Sequence, residues 1–378
     1  MTRAVAPMEV VRELAAYLRP GPGPHSDPVV GWPALLTLAD QHQLLPSLWS
    51  ALRSRGVHPL PEDVGDRSSP LATLERAYRD NAARVDDLRS QAVLVLDLLD
   101  ARGIDAVAMK GAHWLMAGWQ RDPGARVLVD IDIVIPPAFA GEAMRALTQV
   151  GYAPVPNAPD DDLTLDHQLV ALAAPGHQGS IELHLAPIAE AYAPVLDAEE
   201  LRDAADSTHA YGRSRRVPSS THAMVLLISH AQLQDANTRL LRLPLRALRD
   251  LAVLVDEGHA SADWDAVGSH FARAGAHASV GLAGFAVASA ELFGVELPLP
   301  TRGGAAWLHA AQWATDHGGP AGAYRELVCL PRGLRAERMQ HLYGAVGGTE
   351  LARARLRHLT SGAMRRVSSR ARPNRSTA

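Results

Sequence analysis

Lysine is almost missing from this chain. Of 37 basic side chains among 378 residues, only Lys110 is a lysine and every other one is an arginine. An ammonium approaches phosphate oxygens as a compact point charge, whereas a guanidinium presents a wide planar fork. Either a compositional bias toward arginine spared one lysine by chance, or position 110 requires one. Cysteine is as scarce: Cys329 alone excludes an intramolecular disulfide and a cysteine-based zinc cluster, and it predicts a reducing, cytoplasmic setting. Long apolar runs are lacking as well. The opening stretch MTRAVAPMEVVRELAAYL has no continuous apolar segment, and Ala223 to Ile228 is too short to cross a bilayer, so no membrane partner is expected. Charge of one sign is also not in surplus. A net charge of -4 and a pI near 6.5 argue against a general nucleic-acid-binding role.

What is present is enough apolar content, 47%, for one elaborated domain or two. Apolar residues recur at three and four from Met8 to Leu52 around the turn-rich RPGPGPHSDP, which predicts short helices. A longer helix is expected over about 71–102, with Val85, Leu88, Ala92, Val95 and Leu99 on one face and Gly103 closing it. The period then changes. Ile104 to Met109 reads as a buried strand, Ala112 to Gln120 as a helix, Arg126 to Ile135 as a strand stopped by Pro136-Pro137, and Ala138 to Val150 as a helix ended by Gly151. Further strands are expected around Leu163 to Ala173 and Ser180 to Leu185, joined as a hairpin through PGHQG. From Ser219 onward the pattern is mainly helical. The resulting expectation is an α+β fold with N-terminal helices (1–80), a small mixed-sheet core (81–200), a largely helical C-terminal region (201–350) and a disordered basic tail (351–378). An RNA-binding role for that arginine-rich tail is a minor alternative, with strong salt dependence as its signature.

The strand VDIDIV carries the chemistry. Period-two alternation projects Asp130 and Asp132 from one face and Ile131 and Ile133 from the other. Carboxylates side by side repel, so without a cation they cost stability. Mg²⁺, with Mn²⁺ as its alternative, takes oxygen ligands and is commonly held by one or two carboxylates plus substrate phosphates. Ahead of this strand, Lys110, Gly111 and Ala112 form a turn that opens a helix, where backbone N–H groups and the helix dipole suit a polyphosphate. Two-metal transfer usually wants a third carboxylate from another strand, and Glu182, sharing a face with His184, is the best placed. The competing roles are ordinary ones. Glu182 can be an edge-strand charge, and His184 a satisfied core histidine. Arg126 either contacts a phosphate or pairs with Asp130 or Asp132. Asp250 either faces the cleft or balances Arg246 or Arg249. The run Asp160-Asp161-Asp162 reads as a loop.

The stretch MKGAHWLMAGWQRDPGARVLVDIDIVIP resembles the core of the polymerase-beta-like nucleotidyltransferase superfamily and, within it, the bacterial family of uncharacterised nucleotidyltransferases. The resemblance spans about residues 90–255. It implies that Lys110, Gly111, Ala112 and Arg126 bind the nucleotide and that Asp130, Asp132 and Glu182 are the catalytic metal ligands. His184, His167 and Asp250 are implied to support them. Most members of the superfamily carry Gly-Gly or Gly-Ser at the turn, so Lys110-Gly111-Ala112 loses a hydroxyl and gains a cation. The implied activity is Mg²⁺-dependent transfer of a nucleoside monophosphate from a nucleoside triphosphate such as ATP to an unidentified acceptor, a small molecule, natural product or peptide. The alternative is a nucleotide-binding or regulatory protein that keeps the fold without the chemistry.

Overall fold

In a computed structural model, residues 5–24, 27–57, 69–119, 121–155, 167–333 and 347–356 are described. The chain divides into two compact units, 1–317 and 318–378. The first opens with three short helices, α1 (Pro7–Leu18), α2 (Trp32–Gln41) and α3 (Leu45–Ser54), each with proline in its first turn, where the missing N–H costs nothing. Helix α4 (Pro70–Asp100) buries Val85, Leu88, Ala92, Val95 and Leu99, the face its spacing predicts. Gly103 follows with φ +67°, a left-handed position that suits glycine.

The core then alternates. Strand β1 (Val107–Met109) leads directly into helix α5 (Lys110–Ala117), and strand β2 (Asp130–Val134) into helix α6 (Ala140–Gln149). Both strands are shorter than their apolar runs. For the second, the reason lies in the competition for its carbonyls. The side chain of Asn81 donates to the carbonyls of Gly124 and Arg126 at 2.8 and 2.9 Å, and Arg246 donates to that of Val127 at 2.6 Å. The carbonyls of Arg126 and Val127 are therefore taken by side chains rather than by a ladder.

Strands β3 (Ala153–Pro154), β4 (Leu172–Ala173) and β5 (Ser180–His184) follow. The expected hairpin exists, with Leu172 paired antiparallel to Ile181 and Gln168 bridged to His184. Residues 156–166, including the triple aspartate, lie outside the described residues. After helix α7 (Ala198–Asp203) come two strands that the sequence reading did not anticipate, β6 (Asp206–Ala210) and β7 (Arg213–Val217). They pair antiparallel around Tyr211-Gly212, both with positive φ, the geometry of a two-residue hairpin turn. Their residues are mostly polar, and only Arg215 and Val217 are buried, so no apolar alternation announced them. Arginines anchor them instead: Arg215 to Asp97 at 2.6 Å and Arg216 to Asp105 at 2.6 Å.

The seven strands form one mixed sheet in the order β3-β4-β5-β2-β1-β7-β6. The central pair, β2 and β5, is parallel, and β1 runs antiparallel to β2. One sheet face, with Ile131, Ile133, Ile181 and Leu183, packs in a core shared with α4 and α6. Val107, Met109 and Val134 join a second, larger core on the opposite face, shared with α1–α3 and the later helices. Those helices are α8 (Ser220–Ser229), α9 (Asn237–Leu240), α10 (Leu245–Asp256), α11 (Trp264–Arg273), α12 (Ala276–Phe293) and α13 (Gly304–Asp316), with a π-helical turn at His230–Gln234 after α8. Helix α12 is long and apolar enough by composition to cross a membrane, but most of it is buried against its neighbours. The second unit holds helix α14 (Gly318–Gly333) and, among the described residues, a helical stretch at 348–356 that includes the start of the expected basic tail; residues 357–378 lie outside the described residues.

Candidate active site

Register builds the site before any side chain is considered. In the parallel β2–β5 pair, Asp130 stands opposite Ser180, Asp132 opposite Glu182 and Val134 opposite His184. Period-two alternation therefore sets Asp130, Asp132, Glu182 and His184 on one face, with the isoleucines on the other. Gly179, with φ +82°, starts β5 so close to β2 that a Cβ there would meet the Val129 carbonyl oxygen at 2.5 Å. Only glycine lets the two strands begin their pairing at that point.

Lys110 reaches this face from the turn between β1 and α5. Its φ of +50° is a left-handed conformation that non-glycine residues seldom adopt. The strained residue of the turn is thus the lysine itself. Gly111 has another function: a Cβ there would meet Leu128 Cδ2 at 2.6 Å and Arg126 Nη1 at 3.3 Å, so its bareness lets α5 close onto the 126–128 segment. Ala112 is buried in the core beneath.

Asp132 is the hub. Its Oδ1 accepts from Lys110 Nζ at 2.8 Å and from His184 Nε2 at 2.8 Å, with the carboxylate 2% exposed. Because a carboxylate oxygen only accepts, Nε2 of His184 carries a proton, leaving its buried Nδ1 without a partner. Glu182 Oε2 lies 3.6 Å from the same Nε2. Burial opposes the charge on Asp132, yet Lys110 and His184 together hold its carboxyl well below the usual carboxylate range. Burial likewise opposes the Lys110 ammonium, but Asp132, with Asp130 and Glu182 behind it, raises it above the ordinary value. Asp130 has no such partner. Burial, then the negative charge of Asp132, pushes its pKa up to about 6, with Lys110 pulling the other way.

His167 lies beside His184 with ring centroids 5.5 Å apart, and its Nε2 is 3.2 Å from the Gln234 amide nitrogen. Burial, then His184 and Lys110, brings its pKa down to about 4, so it is neutral at physiological pH. Gln234 belongs to the π-helical turn, a distortion that recurs at functional sites.

The sequence allows Arg126 a phosphate contact or a partnership with Asp130 or Asp132, but the carboxylate it pairs with is Asp250. Its Nε donates to Asp250 Oδ2 at 2.9 Å, and its guanidinium lies 4.6 Å from the centre of the Trp114 ring, a cation–π contact. Asp250 also receives a long 3.4 Å bond from Arg249 Nη1. Both Arg126 and Arg249 are thereby balanced in part by one buried carboxylate. Arg246, on the same helix, enters the sequence analysis only as a partner for Asp250, whose bonds go instead to Arg126 and Arg249; the structure places it beside the site. Burial, then Arg126, lowers its pKa, opposed by Asp250 and Asp130. The signal was available in the spacing, since positions 246, 249 and 250 share one helix face. Arg126 Nη1 is buried without a partner.

Arg126 and Arg249 thus bond one carboxylate, Asp250, and Arg246 acts through its charge on both Asp250 and Asp130, while three carboxylates, Asp130, Asp132 and Glu182, face one ammonium across the strands. Such a division suits an anion next to a cation. Asp132, Glu182 and His184 each offer a donor atom within 4.8 Å of the others, and the oxygen-rich set with Asp130 alongside fits a hard divalent cation.

No curated protein and no solved structure matches the chain. A family model described as uncharacterised nucleotidyltransferase matches residues 28–292. That span contains the sheet, the three carboxylates, Lys110 and the arginines of α10, and it covers well over half of the sequence: the chain belongs to the uncharacterised nucleotidyltransferase family.

Proposed function

We propose that this protein is a Mg²⁺-dependent nucleotidyltransferase of the polymerase-beta-like type, moving a nucleoside monophosphate from a nucleoside triphosphate to a small-molecule, natural-product or peptide acceptor. The observation that carries the reading is the in-register placement of Asp130, Asp132 and Glu182 on one face of β2 and β5. Mutual repulsion there is offset within the protein chiefly by Lys110, with His184 bonded to Asp132 and Arg246 acting on Asp130.

In this reading Asp130, Asp132 and Glu182 hold divalent cations, which supply charge neutralisation at the phosphates and acidify the acceptor hydroxyl. The chain's own residues do the rest. His184 keeps Asp132 ionised and oriented through the bond to Oδ1. Arg246 supplies positive charge beside Asp130, and the unpartnered Nη1 of Arg126 is a donor for a phosphate oxygen. Lys110, whose ammonium already lies among the carboxylates, balances charge as phosphate and cation enter together. Gly111 and Ala112 present the first turn of α5, whose N–H groups favour an anion. His167 and Asp250 act behind these groups, through His184 and Arg126 respectively. Neither a membrane nor a nucleic acid is needed as partner.

One observation favours a second reading, that of a non-catalytic nucleotide-binding protein. Lys110 and His184 satisfy Asp132 Oδ1 without any metal. The two readings part in a simple experiment. Thermal unfolding of the wild type and of Asp130→Asn/Asp132→Asn is followed with ATP, GTP, CTP or UTP, with and without Mg²⁺, alongside pyrophosphate release. A nucleotide at a hundred times its dissociation constant adds about 2.7 kcal/mol, a rise of a few degrees in the midpoint. A metal-dependent rise lost in the double variant supports the site, and pyrophosphate release supports transfer. Absence of any nucleotide effect on the wild type would refute both readings.

A further inference from the structure

A second donor cluster lies outside the nucleotidyltransferase site. Glu200, His222 and His270 come from three different helices, α7, α8 and α11, and each offers a donor atom within 4.8 Å of the others. Two of the three roots are fixed by capping. Glu200 N–H donates to Asp197 Oδ1 at 2.8 Å and His222 N–H to Ser219 Oγ at 3.3 Å, each residue occupying the third position of its helix. His270 stands in the last turn of α11.

The contacts of His270 admit the tautomer that a metal ligand needs. Its Nδ1 lies 2.7 Å from the carbonyl oxygen of Val195, which can only accept, and 2.7 Å from Arg273 Nη2, which can only donate; with the Nδ1 proton directed at Val195, Nε2 presents its lone pair. Nε2 lies 3.9 Å from Glu200 Oε1, and the ring of His222 is set edge-on to that of His270 at 5.3 Å. His222 is 6% exposed, and its Nδ1 is buried with no hydrogen-bond partner. Arg273 completes the surroundings. Its Nη2 donates to Glu200 Oε2 at 2.8 Å and to Val195 O at 3.3 Å, and lies 2.7 Å from His270 Nδ1.

We propose that Glu200, His222 and His270 form a structural site for a borderline divalent cation of the Zn²⁺ class. Two imidazoles and one carboxylate match its donor preference, and a histidine whose other nitrogen donates to a backbone carbonyl is the usual orientation of a zinc ligand. Arg273 holds Oε2 of Glu200 and leaves Oε1 for the ion. Bonds of about 2.0–2.2 Å in a tetrahedral arrangement set donors roughly 3.4 Å apart, so the 3.9 Å separation closes by a small torsion of the partly exposed Glu200. The same exposure, 32% of its side chain, provides the entry path and room for a water as fourth ligand. Bound there, the ion ties α7 and its preceding segment to α8 and α11, fastening the connection between β5 and β6 to the helical part of the same unit.

The test uses the untagged full-length chain, stripped with chelator and titrated with Zn²⁺ by calorimetry, with metal content measured after dialysis. The wild type, Glu182→Gln and His222→Gln are compared, so that zinc taken up by the β2–β5 carboxylates is counted separately. The expected result is one equivalent of zinc that persists in Glu182→Gln and binds about a hundredfold or more weakly in His222→Gln, with circular dichroism unchanged. Glu200→Gln, which keeps an oxygen for Arg273, repeats the loss should His222→Gln fail to fold. Equal zinc affinity and stoichiometry in the wild type and in the folded cluster variant overturn the proposal, as does a single equivalent that disappears in Glu182→Gln. Neither result touches the nucleotide reading, which is tested separately through nucleotide binding and pyrophosphate release in Asp130→Asn/Asp132→Asn.

Discussion

The two faces of the β2–β5 pair share a backbone and differ in everything else. On one, Ile131, Ile133, Ile181 and Leu183 are at most 1% exposed and pack against α4 and α6. On the other, Asp130, Asp132, Glu182 and His184 concentrate charge, with Asp130 held near a pKa of about 6. Burial of apolar area stabilises the first face, whereas the second face places like charges side by side and costs stability. A protein selected for stability alone would not keep both. The contrast teaches that the apolar face anchors the strands firmly enough to hold three carboxylates where they repel.

The comparison breaks most visibly through activity. Asp130→Asn/Asp132→Asn is expected to lower pyrophosphate release from a nucleoside triphosphate by about a thousandfold or more, some 4 kcal/mol in the barrier. The fold, read by circular dichroism, should survive, and a double variant with near wild-type turnover refutes the assignment. On the opposite face, Ile133→Ala opens a cavity in the small core. It should reduce the free energy of unfolding by about 3 kcal/mol in urea denaturation, and a loss under about 1 kcal/mol would show that this face does not anchor the strands.

Smaller changes separate the groups within the charged face. Lys110→Met leaves Asp132 with His184 as its remaining partner and should cost about 2 kcal/mol at neutral pH, below the full penalty for a stranded buried charge. No loss in denaturation experiments would mean that Asp132 does not depend on the ammonium. The smallest expected effect has the opposite sign. The Asp130 carboxyl, near 6 when folded, lies above its unfolded value of about 3.9. The folded protein therefore takes up a proton between those values and loses stability as pH rises through them. Asp130→Asn removes that loss; the full difference corresponds to about 3 kcal/mol, which solvent screening at this partly exposed carboxylate reduces, so the metal-free variant should gain about 1 kcal/mol at pH 8 and close to nothing at pH 4. A gain equal at both pH values excludes the carboxylate charge as its source.

Much of the fold was readable because its signals are local. The apolar spacing of α4, the stop at Gly103 and the alternation in VDIDIV are written within a few residues of the structures they specify. The β6–β7 hairpin was not readable, because its strands are short, lie at the end of the sheet order and are rich in polar residues and arginine, with no apolar alternation. What holds them is a set of ion pairs to Asp97 and Asp105, more than a hundred residues away in sequence. Strand β2 came out shorter than its apolar run for a similar reason, since Asn81 and Arg246 claim the carbonyls on which a longer ladder would depend.

By itself the sequence determined which side chains could do chemistry: one lysine at a turn, two aspartates on one strand face, and an acid and a histidine sharing another. Period-two geometry makes that inference local, and no tertiary contact is needed for it. The tertiary structure alone decided the partnerships. It aligned Asp132 with Glu182 across a parallel pair, turned Lys110 and His184 onto one oxygen of Asp132, and matched Arg126 with Asp250, 124 residues away. Charge pairing acts through space and leaves no periodicity along the chain, so only the folded packing of sheet against helices could settle it.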